Sequence, residues 1–114
     1  MLAVAVQLPF SGKNSMNHEI RVVAVLQAHP GKAVELEAVL KAAVVPSRAE
    51  PGCREYILHV DQSNPERFVF VERWINMAAI EKHRNTEHFQ VMSAAAADLL
   101  LSRQVLLMDE VPGQ

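Results

Sequence analysis

The order in which hydrophobic periodicity changes along the chain constrains its fold more than any other feature. Ile20–Ala28 is almost continuously apolar and rich in β-branched residues, which predicts a strand buried on both faces. From Lys32 the period becomes helical, with apolar residues at Leu36, Val39, Leu40, Ala43 and Val44. We expect Pro46 to kink or end this helix, and Glu50-Pro51-Gly52 to stop it.

The middle of the chain has the pattern of an antiparallel hairpin. Side chains alternate along Cys53–Asp61, which predicts a strand, and Gln62–Glu66 has turn composition. Arg67–Trp74 is predicted as the returning strand. One face of this strand carries Phe68, Phe70, Glu72 and Trp74.

The pattern in the last third of the chain predicts two helices and a strand. Asn76–Arg84 is a short helix, Thr86 is a favourable N-cap, and the next helix runs from Glu87 to about Leu101. A last strand is expected over Arg103–Val111. The inner face of the second helix is predicted to hold Phe89, Met92, Ser93, Ala96, Leu99 and Leu100.

The resulting order, strand–helix–strand–strand–helix–strand, is typical of the ferredoxin-like split βαβ topology, an α+β fold with a four-stranded antiparallel sheet. Helices cover one face of such a sheet. The first and third strands are apolar on both sides, so a second copy of the chain is expected to cover the other face. The chain has 114 residues, of which 50% are hydrophobic, and this share agrees with apolar surface beyond what one small core buries. We therefore expect a homodimer.

Composition narrows the function classes. A net charge of −2 without a basic run argues against nucleic-acid binding. The sequence contains no apolar run of 18 residues, so no membrane-spanning helix is predicted. A single cysteine, Cys53, excludes an intrachain disulfide and fits a cytoplasmic protein. We expect residues 1–17 to be an N-terminal extension or leader, and residues 18–114 to form one domain.

Two histidines are the strongest candidates for chemistry. His83 and His88 flank the junction between the last two predicted helices. The helix dipole favours a protonated His83 and a neutral His88, and a neutral imidazole accepts protons at physiological pH. The alternative is that both residues only cap helix ends.

Other candidates are more ambiguous. Glu72, on an aromatic strand face, is either desolvated, paired with an arginine or lining a cavity. Trp74 and Tyr56 belong either to the core or to a ligand wall. A metal site of His83, His88 and Glu72 has suitable residue types, but its spacing matches no known metal signature, so we expect no metal. No glycine-rich phosphate loop supports a flavin or nicotinamide site.

Three consecutive segments together resemble a known family. They are Val71-Glu72-Arg73-Trp74, Ala78-Ala79-Ile80-Glu81-Lys82-His83 and Asn85-Thr86-Glu87-His88-Phe89. This string resembles the antibiotic biosynthesis monooxygenase (ABM) domain, and more narrowly its small quinol monooxygenase branch. Pro30-Gly31-Lys32 and Glu50-Pro51-Gly52-Cys53 are also similar to the family's connections, so the resemblance covers about Ile20 to Val111.

The resemblance implies a dimeric α+β barrel with one pocket per subunit, which oxidises an electron-rich aromatic or quinol with O2 and needs no flavin, haem or metal. It implies His83 or His88 as the base and Glu72 as an orienting carboxylate. The pocket walls would be Trp74, Tyr56, Phe89 and Met92.

Two departures from the family pattern bear on this expectation. Glu87 stands where the family often has proline. Haem-degrading relatives carry a haem-ligating histidine near the position of Met92 and an asparagine on the first strand, where this chain has Ala24 and Val25. Haem degradation is therefore not expected. Two alternatives stay open: an isomerase or degrading enzyme for a small carbonyl signal on the same fold, and a non-enzymatic dimer that binds an apolar ligand.

Overall fold

The computed structural model describes residues 18–114, so the predicted N-terminal extension lies outside the described residues. The strands are β1 (Ile20–Ala28), β2 (Cys53–Asp61), β3 (Asn64–Trp74) and β4 (Leu100–Met108). The helices are α1 (Ala33–Lys41), α2 (Val44–Arg48), α3 (Met77–Arg84) and α4 (Glu87–Ala97). Within this range no helix is long and apolar enough to cross a membrane.

The four strands form one sheet in the order β2-β3-β1-β4, and each neighbouring pair is antiparallel. This is the predicted α+β ferredoxin-like topology, which is therefore confirmed. β1 lies between β3 and β4 and hydrogen-bonds to both, so its backbone is paired on each side. The prediction that it is buried on both faces holds for one face only in the single chain, because Val23 and Val25 on the other face are partly exposed.

The core lies on the face of the sheet that the helices cover. Leu36 and Leu40 of α1 and Ile80 of α3 are buried in it. Buried side chains alternate along β1 and along β3, as predicted for β3, and β2 adds Tyr56. The set comprises Ile20, Val22, Ala24, Leu26, Ala28, Tyr56, Phe68, Phe70, Glu72 and Trp74. The sheet therefore directs this set, including one carboxyl group, toward the helices.

The hairpin turn is shorter than predicted. Two residues separate β2 from β3, which begins at Asn64 rather than Arg67. The Asp61 carboxylate accepts a hydrogen bond of 2.8 Å from the Ser63 N–H and stabilises the tight turn. Pro65 fits into the strand because it lies where the β2–β3 register shifts, so no regular ladder bond needs its missing N–H.

The predicted boundary between the last helix and the last strand was wrong. α4 ends at Ala97, and β4 spans Leu100–Met108 rather than Arg103–Val111. The reason is long-range pairing: β4 runs antiparallel along β1, from Ala28 opposite Leu100 to Arg21 opposite Met108. Those ladder bonds replace the last helical turn that the local pattern favoured.

The first predicted helix is divided in two. α1 ends at Lys41 and α2 begins at Val44, so the break precedes Pro46. Pro46 lies in the first turn of α2, where the N–H that proline lacks would have no helical partner. The proline therefore fits the second helix and does not end the first.

Candidate active site

A cavity of about 250 Å³ lies between the covered face of the sheet and the helices. Five of the predicted site residues line it: Tyr56, Glu72, His83, Phe89 and Met92. The rest of the wall is mainly aliphatic and aromatic. The structure thus brings together, around one apolar space, residues that lie up to one third of the chain apart.

His83 is held in place at the end of α3. Its side chain is buried, with the residue only 4% exposed. The Thr86 hydroxyl donates a hydrogen bond of 2.7 Å to the His83 carbonyl oxygen. The same hydroxyl oxygen accepts from the Phe89 N–H at 3.2 Å, which makes Thr86 the N-cap of α4, as predicted. This short junction fixes the backbone from which the imidazole projects.

Glu50 is a candidate site residue that the sequence did not reveal. Its Oε2 atom lies 2.7 Å from His83 Nδ1 and 2.7 Å from His88 Nε2. Because a carboxylate only accepts hydrogen bonds, both nitrogens carry the protons of these bonds. In the neutral His83 ring Nε2 is then the unprotonated nitrogen, and no hydrogen bond to Nε2 forms within residues 18–114. That nitrogen can accept a proton.

The turn at Glu50-Pro51-Gly52 places Glu50 beneath the α3–α4 junction. The Glu50 N–H donates to Ser47 O at 3.1 Å, and the Cys53 N–H donates to Glu50 O at 3.0 Å. Gly52 is needed for close approach, because a Cβ atom there would clash with Ala79 of α3. The sequence showed this segment only as the end of a helix; its contact with His83 spans 33 residues of chain.

Aromatic rings enclose His83. The ring centroids of Trp74, Phe89 and Tyr56 lie 4.5, 5.0 and 5.5 Å from that of His83. Trp74 is buried and is not among the residues that line the cavity. Its indole packs against the imidazole, and its Nε1–H donates to Glu72 Oε1 at 2.8 Å. Trp74 therefore contacts two cavity-lining residues, His83 and Glu72, from the side away from the cavity.

Burial sets the protonation states of the site. It lowers the pKa of His83, although the hydrogen bond that His83 donates to Glu50 opposes this effect. The predicted influence of the helix end on His83 is thus outweighed by desolvation. Burial also raises the pKa of Glu72 to about 7, against the opposing hydrogen bond from Trp74. It raises the pKa of Tyr56 far above its ordinary value, so that hydroxyl stays neutral.

His88 occupies a different position from His83. It lies in the first turn of α4, is partly buried and is not among the cavity-lining residues. Its Nε2 donates to Glu50, so that nitrogen is not available as a proton acceptor. The structure therefore distinguishes the two histidines, and in the opposite sense to the helix-dipole argument, which favoured a neutral His88 as the proton acceptor.

Glu50, His83 and His88 also form a set of donor atoms that could hold a metal ion. One ligand atom from each lies within 4.8 Å of the others. Two imidazoles and a carboxylate suit divalent first-row metals. Glu72, which the sequence grouped with the two histidines, is bonded to Trp74 instead and is not part of this set.

The family model for antibiotic biosynthesis monooxygenase matches residues 19–95. The chain belongs to this family. Among curated relatives, the "Putative monooxygenase Rv0793" of Mycobacterium tuberculosis is 33% identical over 85 residues, or 75% of this chain and 83% of its own length. An uncharacterized protein of Synechocystis is 35% identical over 81 residues, or 71% of this chain. This ABM-family chain aligns with only 55% of the length of the Synechocystis protein.

Solved structures of similar proteins share the fold of this ABM-family chain. The crystal structure of PA3566 from Pseudomonas aeruginosa superposes with a TM-score of 0.80 at 38% identity, covering 84% of this chain and 97% of that chain. A crystal structure described as an antibiotic biosynthesis monooxygenase has a TM-score of 0.78 at 34% identity, over 82% of this chain and 99% of its own. These likenesses support a monooxygenase-type function in general terms.

Proposed function

We propose that this chain is a cofactor-independent monooxygenase that oxidises a small electron-rich aromatic or quinol with O2, and that His83 is its general base. The observation that carries the proposal is the orientation of His83. Glu50 holds Nδ1 at 2.7 Å, while the ring lines a mainly apolar cavity of about 250 Å³ with Nε2 unbonded within residues 18–114. A neutral, oriented imidazole beside a small cavity suits the deprotonation of a phenolic hydroxyl.

The reaction needs little more from the protein than this proton transfer. The phenolate passes one electron to O2, and the resulting aromatic radical and superoxide combine to form a C–O bond. The peroxide takes back the proton from His83, and the resulting hydroperoxide loses water to leave a new carbonyl group. One oxygen atom enters the product and the other leaves as water, so the four electrons accepted by O2 come from the substrate. The apolar wall keeps bulk water from the radical pair.

The size of the cavity favours a single substituted ring. A dry apolar cavity of about 150 Å³ is large enough to bind benzene. The present cavity, of about 250 Å³, therefore accommodates one ring with a few substituents. Phe89 and Met92 offer apolar contacts to such a ring, and Tyr56 offers a neutral hydroxyl.

Oxygen uptake tests the proposal directly. The protein is treated with a chelator and dialysed, and O2 consumption is recorded with a panel of mono- and bicyclic quinols. We expect turnover above the autoxidation rate for at least one quinol, unchanged when Zn2+, Mn2+ or Fe2+ is restored. Turnover only with a restored metal would assign Glu50, His83 and His88 to a metal centre and refute the cofactor-independent mechanism. Product formed equally well without O2 would point to an isomerase.

We also propose that the working enzyme is a homodimer joined through the sheet face opposite the helices. Within the described part of the chain, the side chains at the centre of that face are apolar and face no helix: Val23, Val25, Ile57, Val69, Val71 and Leu106. Val23 lies opposite both Val71 and Leu106, so the residues form one continuous patch. Such a patch is typical of a subunit interface.

Replacing Leu106 with arginine should convert the dimer to a monomer, because it places a charge within that patch. Leu106 is 44% exposed on β4. Val91→Arg is the control, since Val91 is 60% exposed on α4, on the helical side. Light scattering coupled to size exclusion measures the mass of each variant. A dimer that persists in Leu106→Arg, or a wild type that is already monomeric, would contradict this interface.

A further inference from the structure

Two arginines line the candidate active-site cavity, and within residues 18–114 neither forms a hydrogen bond or an ion pair through its side chain. Arg84 ends α3 and Arg103 lies on β4, and both are among the residues that form the cavity wall. Both side chains are exposed, whereas His83 and Glu72 are buried. The guanidinium groups therefore lie at the rim, where the cavity opens to solvent.

The register of the sheet explains how Arg103 reaches the cavity. Arg103 is paired with Leu26, and Val105 is paired with Ala24. Leu26, Ala24 and Val105 all line the same cavity. Side chains on directly opposed residues share a face of the sheet, so Arg103 belongs to the face that the helices cover.

Neither guanidinium is held by a short contact, although the charge of Arg84 opposes the rise in the pKa of Glu72 that burial causes. In residues 18–114, no hydrogen bond or ion pair is formed by the side chain of Arg84 or Arg103. By contrast, Arg48 donates to the Tyr56 carbonyl oxygen at 2.9 Å, and Arg73 donates to Glu19 at 2.8 Å. Four other arginines, namely Arg48, Arg54, Arg67 and Arg73, each contact a carbonyl or a carboxylate.

The cavity contains one carboxyl group, and its hydrogen bond is to Trp74 rather than to either arginine. Among the lining residues only Glu72 is acidic, and it is buried and bonded to the Trp74 indole. The other nearby carboxylate, Glu50, is taken up by His83 and His88. The rim therefore presents two cationic groups, and no carboxylate of the described residues lies within ion-pair distance of either.

We propose that the substrate is a hydroxylated aromatic acid whose carboxylate is bound by Arg84 and Arg103 at the rim. Its phenolic hydroxyl then lies at the buried end, within reach of His83. Guanidinium groups bind a carboxylate through paired, charge-assisted hydrogen bonds, which makes arginine well suited to this role. This inference deepens the proposed oxygenase function and rests on it for the identity of the reacting hydroxyl.

Binding of a matched pair of probes tests the inference without turnover. The probes are 2,5-dihydroxybenzoate and its methyl ester, which differ in charge but share the quinol ring. Anaerobic calorimetry on the full chain at pH 7 should show the acid binding at least about tenfold tighter than the ester, as expected for a charge-assisted contact. Raising the salt concentration should weaken the binding of the acid and leave the ester unaffected.

Charge-removing variants identify the residues responsible. Arg84→Gln and Arg103→Gln should each reduce the preference for the acid, and the double variant should abolish it. Lys82→Gln is the matched control, because Lys82 lies on α3, is exposed and does not line the cavity. It should keep the full preference. Far-ultraviolet circular dichroism and the melting temperature verify that each variant is folded.

Several outcomes would overturn the inference. They are equal affinity for acid and ester, no binding of either probe up to millimolar concentration, and a preference that survives in the double variant. If both arginine substitutions weakened the binding of acid and ester equally, the arginines would contact the phenolic end of the substrate, which also contradicts the proposal. A failure of the proposed oxygenase function would give a different result from a failure of the anion site. The protein would still bind the acid more tightly than the ester, but it would consume no O2. Conversely, turnover of neutral quinols without acid preference would retain the oxygenase and refute the anion site.

Discussion

Replacing His83 with glutamine should lower kcat/KM for the best quinol by about 10²- to 10⁴-fold, the usual contribution of a positioned general base. His88→Gln should cost much less. The reason is geometric: His83 lines the cavity with Nε2 unbonded within residues 18–114, while His88 bonds to Glu50 outside the cavity wall. Initial rates of O2 consumption, measured under the same chelated conditions for both variants, decide between them.

The effect of Glu50→Gln separates a positioning role from a purely structural one. Glu50 raises the pKa of His83 through its hydrogen bond and its charge, in opposition to burial. Removing that charge should lower the pKa of His83 further. The acidic limb of the pH–rate profile, where the base becomes protonated, should therefore move to lower pH while the maximal rate falls. A variant that merely disturbed packing would lose rate without moving this limb.

Equal losses in His83→Gln and His88→Gln would contradict the assignment. That result would show that the two histidines act as a unit, as they would if both ligated a metal ion together with Glu50. The chelator-treated and metal-restored wild type, assayed beside the variants, distinguishes that case. The histidine pair is thus the point at which a proton-transfer mechanism and a metal-dependent one predict opposite results.

Local sequence patterns were sufficient for the number and order of the strands and for the faces of β3. The bounds of β1, Ile20–Ala28, follow from its apolar run, and alternation along β3 placed Glu72 on the buried face. The Thr86 N-cap followed from residue type alone. These features depend on period and capping chemistry, which a short window of sequence contains.

Features that depend on long-range contacts could not be predicted in the same way. Glu50 was visible only as part of a turn, because its partners His83 and His88 lie 33 and 38 residues away. The start of β4 was placed too late because its pairing with β1, not its own composition, sets its limits. The cationic rim was missed for the same reason, since Arg84 and Arg103 share a cavity only after the sheet has formed.

The second large effect concerns stability. Glu72→Gln should remove a pH-dependent destabilisation of the native state. Burial raises the pKa of Glu72 to about 7, whereas the carboxyl group of the unfolded chain titrates near its ordinary value of 4.5. Between these two values the native state holds a proton that the unfolded state has lost. The free energy of unfolding therefore falls as the pH rises through this window, by roughly 3 kcal/mol in total.

Glutamine is the informative replacement because it keeps the shape of the side chain and an oxygen that accepts from Trp74 Nε1. Glutamine does not titrate, so the variant should gain stability relative to wild type as the pH rises from about 4.5 to about 7. Above pH 7 the difference should change little. Urea unfolding between pH 4 and pH 8, at one protein concentration, measures the difference. The concentration is fixed because association of subunits adds to apparent stability.

A matched control isolates the buried site from general charge effects. Glu37→Gln is the control, because it removes one exposed carboxylate from α1 and leaves Glu72 in place. Parallel curves for Glu72→Gln and wild type would mean that Glu72 titrates alike in the folded and unfolded chain, and so is not desolvated. A difference confined to the window between pH 4.5 and 7 would instead identify Glu72 as a carboxyl group that the fold keeps protonated in mild acid. In that state it presents no negative charge to a carboxylate held at the rim of the same cavity.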